Sequence, residues 1–553
     1  MDHPGQPRRP LQRHAPLHTG PVSTVQAPPE GTPTATSEPA PRWAGAVLGI
    51  VAAATGLAAA ELLTGLWSSL SSPVLSVGDR VVDTVPPPVK DWAIDAFGTS
   101  DKAVLVGCVL VLLVLFAAWI GVLTLRRGRR AGLIGVAVFT AIGVAASLGR
   151  GGDGAAAIVP SLVAGTVAAL VLVGLAHLWP TGDPDEPEVA TAPIGPLPPS
   201  RRRFLGTAAA LGAGSVVLAG SGRWLRQRSV AATERLKTVL PTPRAPLPPV
   251  PAGADLGVSG AEPFITPNAD FFRIDTALTL PQVDPTTWTL GVTGRVDRPL
   301  TLTYAELLER PMVEVDITLS CVSNEVGGSL VGNARWLGCR LDDLLDEAGI
   351  DPSADQVVGR SVDGFTAGFP TTLLDGRDAL VAVGMNGEPL PIRHGFPARL
   401  VVPGVYGYVS ATKWLSEIEL TRFDELEGYW IPRGWAVEGP IKTQSRIDTP
   451  PSGRILTAGE PVMIAGVAWA PTRGIERVEV QVDDGPWQEA ELGEQYTDTT
   501  WRQWKLEWVP TEVRYHQLRV RATDGTGETQ TEQRTPVAPD GASGWHTFRV
   551  NVR

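Results

Sequence analysis

Cysteine is scarce: the chain has three in 553 residues, Cys108, Cys321 and Cys339. That count excludes a disulfide-dense scaffold, and without a Cys-x-x-Cys pair it removes the usual zinc and iron–sulfur frameworks. Histidine is nearly as rare, seven in all. A haem held across a helical bundle needs paired histidines, and the apolar N-terminal region offers only His177. A clustered lysine and arginine face is missing too. With a formal net charge of −11, the composition argues against a nucleic-acid surface.

Long apolar runs, by contrast, are plentiful and confined to the first part of the chain. Residues 1–41 are rich in Pro, Thr, Ala and Gln without apolar periodicity and read as a disordered cytoplasmic tail. Residues 42–180 hold four candidate transmembrane spans: Trp43 to about Trp67, Ala103 to Leu125, Ala131 to Leu148, and about Ala155 to Trp179. The second, "AVLVGCVLVLLVLFAAWIGVLTL", carries no charge. It is long enough to cross ~30 Å of hydrocarbon at ~1.5 Å per residue. Four such runs are hard to accommodate as buried helices of a water-soluble protein. "RRGRR", Arg126 to Arg130, sits between the second and third spans and belongs on the cytoplasmic side. The tail and the linker 181–199 then share that side, and the loop from Ser68 to Lys102 faces outward against the membrane surface.

The segment 200–222, with "SRRRFLGTAAALGAGSVVLAG", reads as a twin-arginine-like export signal or a fifth transmembrane helix. Ser200, Arg201, Arg202, Phe204 and Leu205 fit the export pattern, while Gly206 stands where a lysine is often found. Both readings carry everything beyond it out of the cytoplasm. A Pro-rich connector, 223–255, should be extended and semi-rigid.

From there the pattern is globular. "TWTLGVTGRV" alternates like a strand, "TYAELLERP" reads as a short helix, and "RLDDLLDEAGI" as an amphipathic helix ending at Gly349. Residues 256–425 are expected to form an α+β domain, 426–449 a connector, and 450–553 an immunoglobulin-like β-sandwich of about seven strands. Trp469, Trp487, Trp501, Trp504 and Trp508 are expected as core and edge packing. The fold class is thus multi-domain: transmembrane helices, then α+β, then all-β.

For Cys321, in "TLSCVSNEVGG", three readings stand open: a small buried apolar residue, half of a bridge to Cys339, or a thiolate ligand for a soft metal. A lone thiolate suffices as a protein ligand only if a cofactor supplies the rest. "GEPLPIRHGFPARLVVPGVYGYVSATKWLSEIEL", Gly387 to Leu420, concentrates Arg393, His394, Arg399 and Lys413 among glycines and prolines. Such cations on fixed turns suit a phosphate, although they also suit a solvated face.

"HGFPARLVVPGVYGYVSATKWL", with "SCVSN", "NARWLG" and "TPNADFF", resembles the sulfite oxidase family of molybdopterin enzymes. The likeness runs from about residue 260 to 553. It implies a molybdenum-molybdopterin cofactor with one pterin, an α+β pterin domain, and a sandwich through which members form homodimers. It also implies that Cys321 binds molybdenum through sulfur while the pterin dithiolene supplies two more sulfurs. By the same likeness Asn268, Phe271 and Phe272 lie along the pterin, Asp363 contacts it, His394 and Arg399 hold the pterin and its phosphate, and Ser410, Ala411, Thr412 and Lys413 close over it.

The pattern departs where sulfite-oxidising members gather arginines. Glu325 follows the cysteine and Asp275 stands in the early "FFRIDTAL" segment, and a nearby carboxylate repels a small dianion. Arg273 and Arg335 alone do not restore the positive charge. The expected activity is therefore two-electron oxygen-atom transfer on a sulfur- or nitrogen-centred substrate, outside the cytoplasm, with a separate electron-transfer partner. The competing expectation is a cell-envelope scaffold without turnover, marked by a Cys321–Cys339 bridge.

Overall fold

The computed structural model describes residues 40–67, 70–86, 101–148, 155–179, 199–227, 230–244 and 246–553, with a few positions between 87 and 100. The tail expected at 1–41 and the linker expected at 181–199 lie almost wholly outside the described residues. The N-terminal part is helical: α1 (Arg42–Leu66), α2 (Pro73–Thr84), α3 (Asp101–Arg127), α4 (Arg129–Ser147), α5 (Val159–Leu178), α6 (Pro199–Gln227) and α7 (Val230–Lys237). Among the described residues, five helical stretches are long and apolar enough to cross a membrane: Arg42–Leu66, Val104–Arg127, Arg129–Ser147, Ala156–Leu178 and Arg201–Lys237.

Helix α1 is the hub, packing on α3, α5 and α6. Its glycines bring backbones together. A Cβ at Gly49 would lie 1.8 Å from the Ala117 carbonyl oxygen of α3, one at Gly56 2.3 Å from that of Ala164 on α5, and one at Gly65 2.5 Å from that of Gly222 on α6. Such close approach gains dispersion between backbones, the contact on which helices depend where lipid offers them no hydrophobic reason to associate. Helix α6 is an integral part of this bundle. Phe204 is fully buried with its ring edge-on to Trp179, and Ser215 Oγ donates to Thr55 Oγ1 of α1 at 3.0 Å.

The α+β part contains strands β1 (Thr289–Gly294), β2 (Leu300–Thr303), β3 (Met312–Ser320), β4 (Val331–Arg340), β5 (Gln356–Ser361), β6 (Thr366–Pro370), β7 (Leu380–Met385), β8 (Arg399–Val401) and β9 (Leu415–Thr421). Helices α8 (Tyr304–Leu308), α9 (Leu341–Ala348) and α10 (Gly407–Ser410) are interspersed. The expected short helix α8 starts on a capping box in which Thr303 and Glu306 satisfy each other's backbone N–H. Such a cap contributes about 1 kcal/mol. Helix α9 ends where expected, with Gly349 at φ 73°.

One sheet has the order β2-β1-β9-β5-β6, with β1 and β9 parallel; the other runs β3-β4-β7 and continues to Glu388–Pro389, while β8 also pairs with β7. Strand β3 is the edge of its sheet, yet it is buried nearly throughout. Its free edge is covered from outside. The Thr318 N–H donates to the Thr499 carbonyl at 3.0 Å, and the Met312 carbonyl accepts the Arg244 N–H at 2.8 Å. Covering an edge strand in this way removes a template for unwanted pairing.

The C-terminal part is a two-sheet sandwich of β10 (Gln444–Thr449), β11 (Val462–Trp469), β12 (Ile475–Val482), β13 (Arg502–Trp508), β14 (Tyr515–Asp524) and β15 (His546–Val552). One sheet orders β10-β11-β13 with Glu491–Leu492 at its edge; the other orders β15-β14-β12, flanked by Ile455–Leu456 and Gln488–Glu489. Ile464 and Trp504 from the first meet Val478, Val520 and Val550 from the second in a sealed core. The two-residue strands take the total above the seven expected, being too short to show a period of two in the sequence.

Two expected boundaries shift. Strand β10 begins inside the 426–449 connector, because Gln444, Ser445, Arg446 and Ile447 are all buried against β11. The 223–255 connector also takes in the end of helix α6 and the whole of helix α7, and its proline-rich part is extended as expected but docked rather than free. The Leu247 N–H donates to Glu314 Oε2 at 3.2 Å, the Pro248 carbonyl accepts Tyr496 Oη at 2.7 Å, and the Gly253 carbonyl accepts the Glu494 N–H at 2.7 Å. The strap thus crosses both globular parts.

Candidate functional site

Cys321 is the first residue after β3, at the mouth of the β3–β4 hairpin. Its N–H donates to the Leu330 carbonyl at 2.9 Å, and Asn324 clips the loop shut: its N–H donates to the Cys321 carbonyl at 3.0 Å while its Oδ1 accepts the Leu330 N–H at 2.8 Å. The thiol lies 2.9 Å from Ser323 Oγ. Burial pushes its pKa up, opposed by the Ser323 contacts and by the positive charge of Lys413. The far end of the loop rests on the sandwich, where the Gly328 carbonyl accepts Arg446 Nη1 at 3.1 Å. Gly327, at φ 81°, lies so near the His546 ring that a Cβ would come within 2.3 Å of it.

All three cysteines are free. Cys339 stands opposite Met312, at the other end of the ladder from Cys321. At ~3.3 Å per residue the two are on the order of 30 Å apart, and a disulfide needs Cα atoms within ~7 Å. The bridge entertained from the sequence is therefore excluded.

His394, Arg399 and Lys413 converge around Gly395, whose φ of 112° suits glycine. A Cβ there would lie 3.1 Å from both Arg399 Cβ and Lys413 Cβ. Arg399, on β8, is 5% exposed, stacked 4.9 Å from the Trp336 ring centroid, and donates through Nη1 to the His394 carbonyl at 3.2 Å. Among the described residues no carboxylate pairs with it, and burial pulls its pKa down to about 9. His394 is also buried; its Nε2 lies 2.9 Å from the Asn268 carbonyl, which can only accept, so that nitrogen carries the proton. Burial first, then the charges of Arg399, Arg393 and Lys413, pull the ring to about 4 and keep it neutral near pH 7. Lys413 Nζ lies 3.0 Å from Asp275 Oδ2 and 2.9 Å from the Ile274 carbonyl, and burial takes it to about 8.

Phe271 ties the early segment to this group, stacking on Phe272 at 5.1 Å and meeting Trp336 and His394 edge-on at 5.9 and 5.7 Å. Asn268 donates to Glu388 Oε1 at 2.7 Å and to the Met385 carbonyl at 3.2 Å, and accepts Asn386 Nδ2 at 2.8 Å. The turn after α10 is fixed internally. Ser410 Oγ donates to the Tyr406 carbonyl at 3.1 Å, the Ala411 N–H to the Gly407 carbonyl at 2.9 Å, and Thr412 Oγ1 to the Gly359 carbonyl at 3.3 Å. Asp363 stands apart: its Oδ1 accepts the Phe365 N–H at 3.2 Å in the β5–β6 turn. The neighbouring Val362 N–H, donating to the Trp414 carbonyl at 2.9 Å, links that turn to the strand that follows Lys413.

The structure adds residues to which the sequence reading assigned no role. Trp336 is the platform under Arg399, Trp414 is buried at φ 49° beside Lys413, and the buried Tyr406 is close enough for the Cys321 charge to act on it. All three sit inside the motifs "NARWLG" and "HGFPARLVVPGVYGYVSATKWL", where their bulk was the available signal. The argument against a dianion also changes. Asp275 lies between Lys413 and Arg273, the latter at 3.5 Å, so its charge is compensated. Glu325 is exposed, with no side-chain ion pair or hydrogen bond among the described residues. Arg335 is spent on the buried Asp316 in mid-hairpin, at 2.9 Å through both Nε and Nη2.

Comparison with known proteins places these features in a family. The oxidoreductase molybdopterin binding domain profile matches residues 277–430, and the Mo-co oxidoreductase dimerisation domain profile matches 437–552. Sulfite oxidase of Gallus gallus is 30% identical over 329 residues, covering 50% of this chain and 70% of its own. The chain belongs to the sulfite oxidase family. Uncharacterized oxidoreductase YuiH of Bacillus subtilis is 35% identical over 156 residues, 28% of this chain and 76% of its own. Mitochondrial sulfite oxidase of Mus musculus is 33% identical over 343 residues, 53% of this chain; the match spans 62% of the mouse protein's length.

The cofactor of this sulfite oxidase family member is molybdenum-molybdopterin. The residues present fit such a group. A buried guanidinium without a carboxylate wants an anion, and a free thiol in a clipped loop offers one soft ligand. Among the described residues no three His, Cys, Asp or Glu side chains gather to hold a metal by themselves. Any metal at Cys321 then takes its remaining ligands from a cofactor.

Proposed function

We propose that this chain is a membrane-held molybdenum oxidoreductase whose globular part lies outside the cytoplasm and performs two-electron oxygen-atom transfer on a sulfur- or nitrogen-centred substrate. The observation that carries the reading is Arg399, buried, without a carboxylate partner among the described residues and meeting Lys413 across Gly395, in a chain whose Cys321 thiol is free. Cys321 supplies the protein ligand to the metal. Arg399 grips the pterin phosphate with a fork that lysine cannot imitate, and neutral His394 holds the Asn268 backbone while presenting no charge of its own. Phe271 and Phe272 would shield the pterin from water, Ser410, Ala411, Thr412 and Lys413 would close over it, and Asp363, which bonds only within its own turn here, would have to reach it from there. When bound, the cofactor supplies a two-electron redox centre that exchanges an oxygen atom with substrate, and the protein supplies orientation and electrostatics.

The relatives named sulfite oxidases support a sulfur-centred substrate, and the compensated charge of Asp275 leaves room for an anionic one. Oxidation and reduction are both within this chemistry. Helix α6, packed along α1, is read as a retained fifth span that follows twin-arginine-like export, and the sandwich is read as immunoglobulin-like and as the homodimer contact. Electrons pass to a separate partner, since paired histidines for a haem are missing from the spans. Molybdenum and pterin analysis of the full chain, purified from a host that makes molybdopterin, tests this. About one molybdenum and one pterin per chain is expected; a folded protein with neither overturns the assignment.

A further inference from the structure

The membrane-proximal helix reaches directly into the support of the candidate site. Arg235, in the last turn of α7, donates through Nε to the Leu390 carbonyl at 2.8 Å, and through Nη2 to the Pro389 carbonyl at 2.7 Å and Glu388 Oε2 at 2.8 Å. The other carboxylate oxygen of Glu388 accepts Asn268 Nδ2 at 2.7 Å, and the Asn268 carbonyl accepts His394 Nε2 at 2.9 Å. These contacts hold the Glu388 carboxyl below its usual pKa range, Arg235 contributing most and Asn268 next. Between Leu390 and His394 the chain runs only through Pro391 and a short 3₁₀ turn, so Arg235 grips the His394 loop at its root and, through Glu388, at its partner strand.

The turn that presents Glu388 is built for this. Asn386 and Gly387 both have positive φ, 51° and 81°, as in a tight two-residue hairpin turn. Asn386 Nδ2 reaches Asn268 Oδ1 at 2.8 Å and the Thr266 carbonyl at 3.0 Å. Nearby, Leu240 of the connector packs over Gly384 of β7. In the other part of the bundle, Gly78 of α2 lies under the Leu278 side chain, where a Cβ would be 2.9 Å from Leu278 Cδ1. The globular part is therefore clamped to the helices at two places, one of which is bonded to residues of the candidate site.

We propose that Arg235 is a positioning residue, through which the membrane-proximal helix fixes the Asn268–His394 side of the candidate site. The proposal rests on the cofactor reading only for its second readout. Arginine is suited to the task because one planar guanidinium reaches two carbonyls and a carboxylate at once, whereas a lysine ammonium on a flexible stem must choose among them. Loss of the strap leaves two carbonyl acceptors unmet and frees the carboxylate that orients Asn268, so local opening of 388–395 becomes easier while the remote sandwich is untouched.

The test uses the full chain in detergent, as wild type, Arg235→Ala and Arg235→Lys. The first readout is amide hydrogen exchange at Leu390, His394 and Gly395, whose N–H groups donate to Val383, Pro391 and Ile392. The second is the rate at which bound pterin is released, followed by its fluorescence after oxidation. Arg235→Ala is expected to raise both by roughly tenfold with exchange in the sandwich unchanged, and Arg235→Lys to recover part of each. Unchanged exchange at these amides, or faster exchange with unaltered pterin release, overturns the positioning role. Failure of the cofactor reading is distinguishable, because wild-type protein would then carry no pterin before any variant is made.

Discussion

Arg399 is bought at a cost that the protein alone does not recover. Its guanidinium is buried, stacked on Trp336 and bonded to the His394 carbonyl, but no carboxylate among the described residues meets it. A buried charge without a counter-charge destabilises a fold by several kcal/mol in the usual case. Arg399→Met keeps most of the length and removes the charge. In cofactor-free protein its thermal midpoint is expected to rise by ~2–4 °C, while pterin retention in loaded protein falls at least tenfold; a lower midpoint in the cofactor-free variant would show that the hydrogen bonds outweigh burial. Two imidazoles, the buried His394 and the half-buried His546, make a pH prediction. His394 and His546 sit at about 4 when folded against 6.5 otherwise, burial being the first cause for each. The unfolded chain then binds protons that the folded chain refuses, so the stability contributed by their burial is complete above pH 6.5 and is lost progressively as pH falls toward 4. Urea denaturation at pH 7.5 and 5.5 should show the loss, and His394→Gln should shrink it; equal loss in the variant would remove His394 from the account.

At the scale of elements, the sequence made the capped helix α8, the glycine stop of α9 and the apolar spans readable, because each is a local pattern. It left unreadable whatever depends on partners far along the chain. Strand β3 looks ordinary as "MVEVDITLS", and its partners far along the chain, Arg335 on Asp316 and Thr499 and Trp501 on Thr318, are what let these two be buried as deeply as Ile317 and Leu319. Likewise the hydrogen bond by which Asn324 clips the Cys321 loop shut leaves no local pattern in the sequence. The cations were legible as types, and their meeting was carried by the family likeness rather than by spacing. That Lys413 compensates Asp275 was invisible, because the two are 138 residues apart. Helix α1 gives a prediction of its own. Gly49→Leu would drive a side chain into the Ala117 carbonyl of α3, and bundle packing tolerates no such volume. Its detergent-solubilised bundle should unfold at clearly lower temperature than wild type, with Ile50→Leu, on a more exposed position of α1, as the unaffected control.

The whole molecule is less modular than its sequence suggests. The connector that reads as a spacer is bonded to the pterin domain and the sandwich in turn, Arg235 ties the helices to the His394 loop, and Arg446 and His546 of the sandwich brace the Cys321 loop. The N-terminal helices, pterin domain and sandwich thus each brace part of the candidate site, which is why a cofactor inserted there would report on all three. The central claim is that Cys321 is the protein's ligand to molybdenum. X-ray absorption at the molybdenum edge, on wild type, Cys321→Ser and Cys339→Ser, counts the sulfur neighbours directly. The account predicts that Cys321→Ser loses one sulfur from the shell while Cys339→Ser matches wild type; an unchanged sulfur count in Cys321→Ser would contradict it.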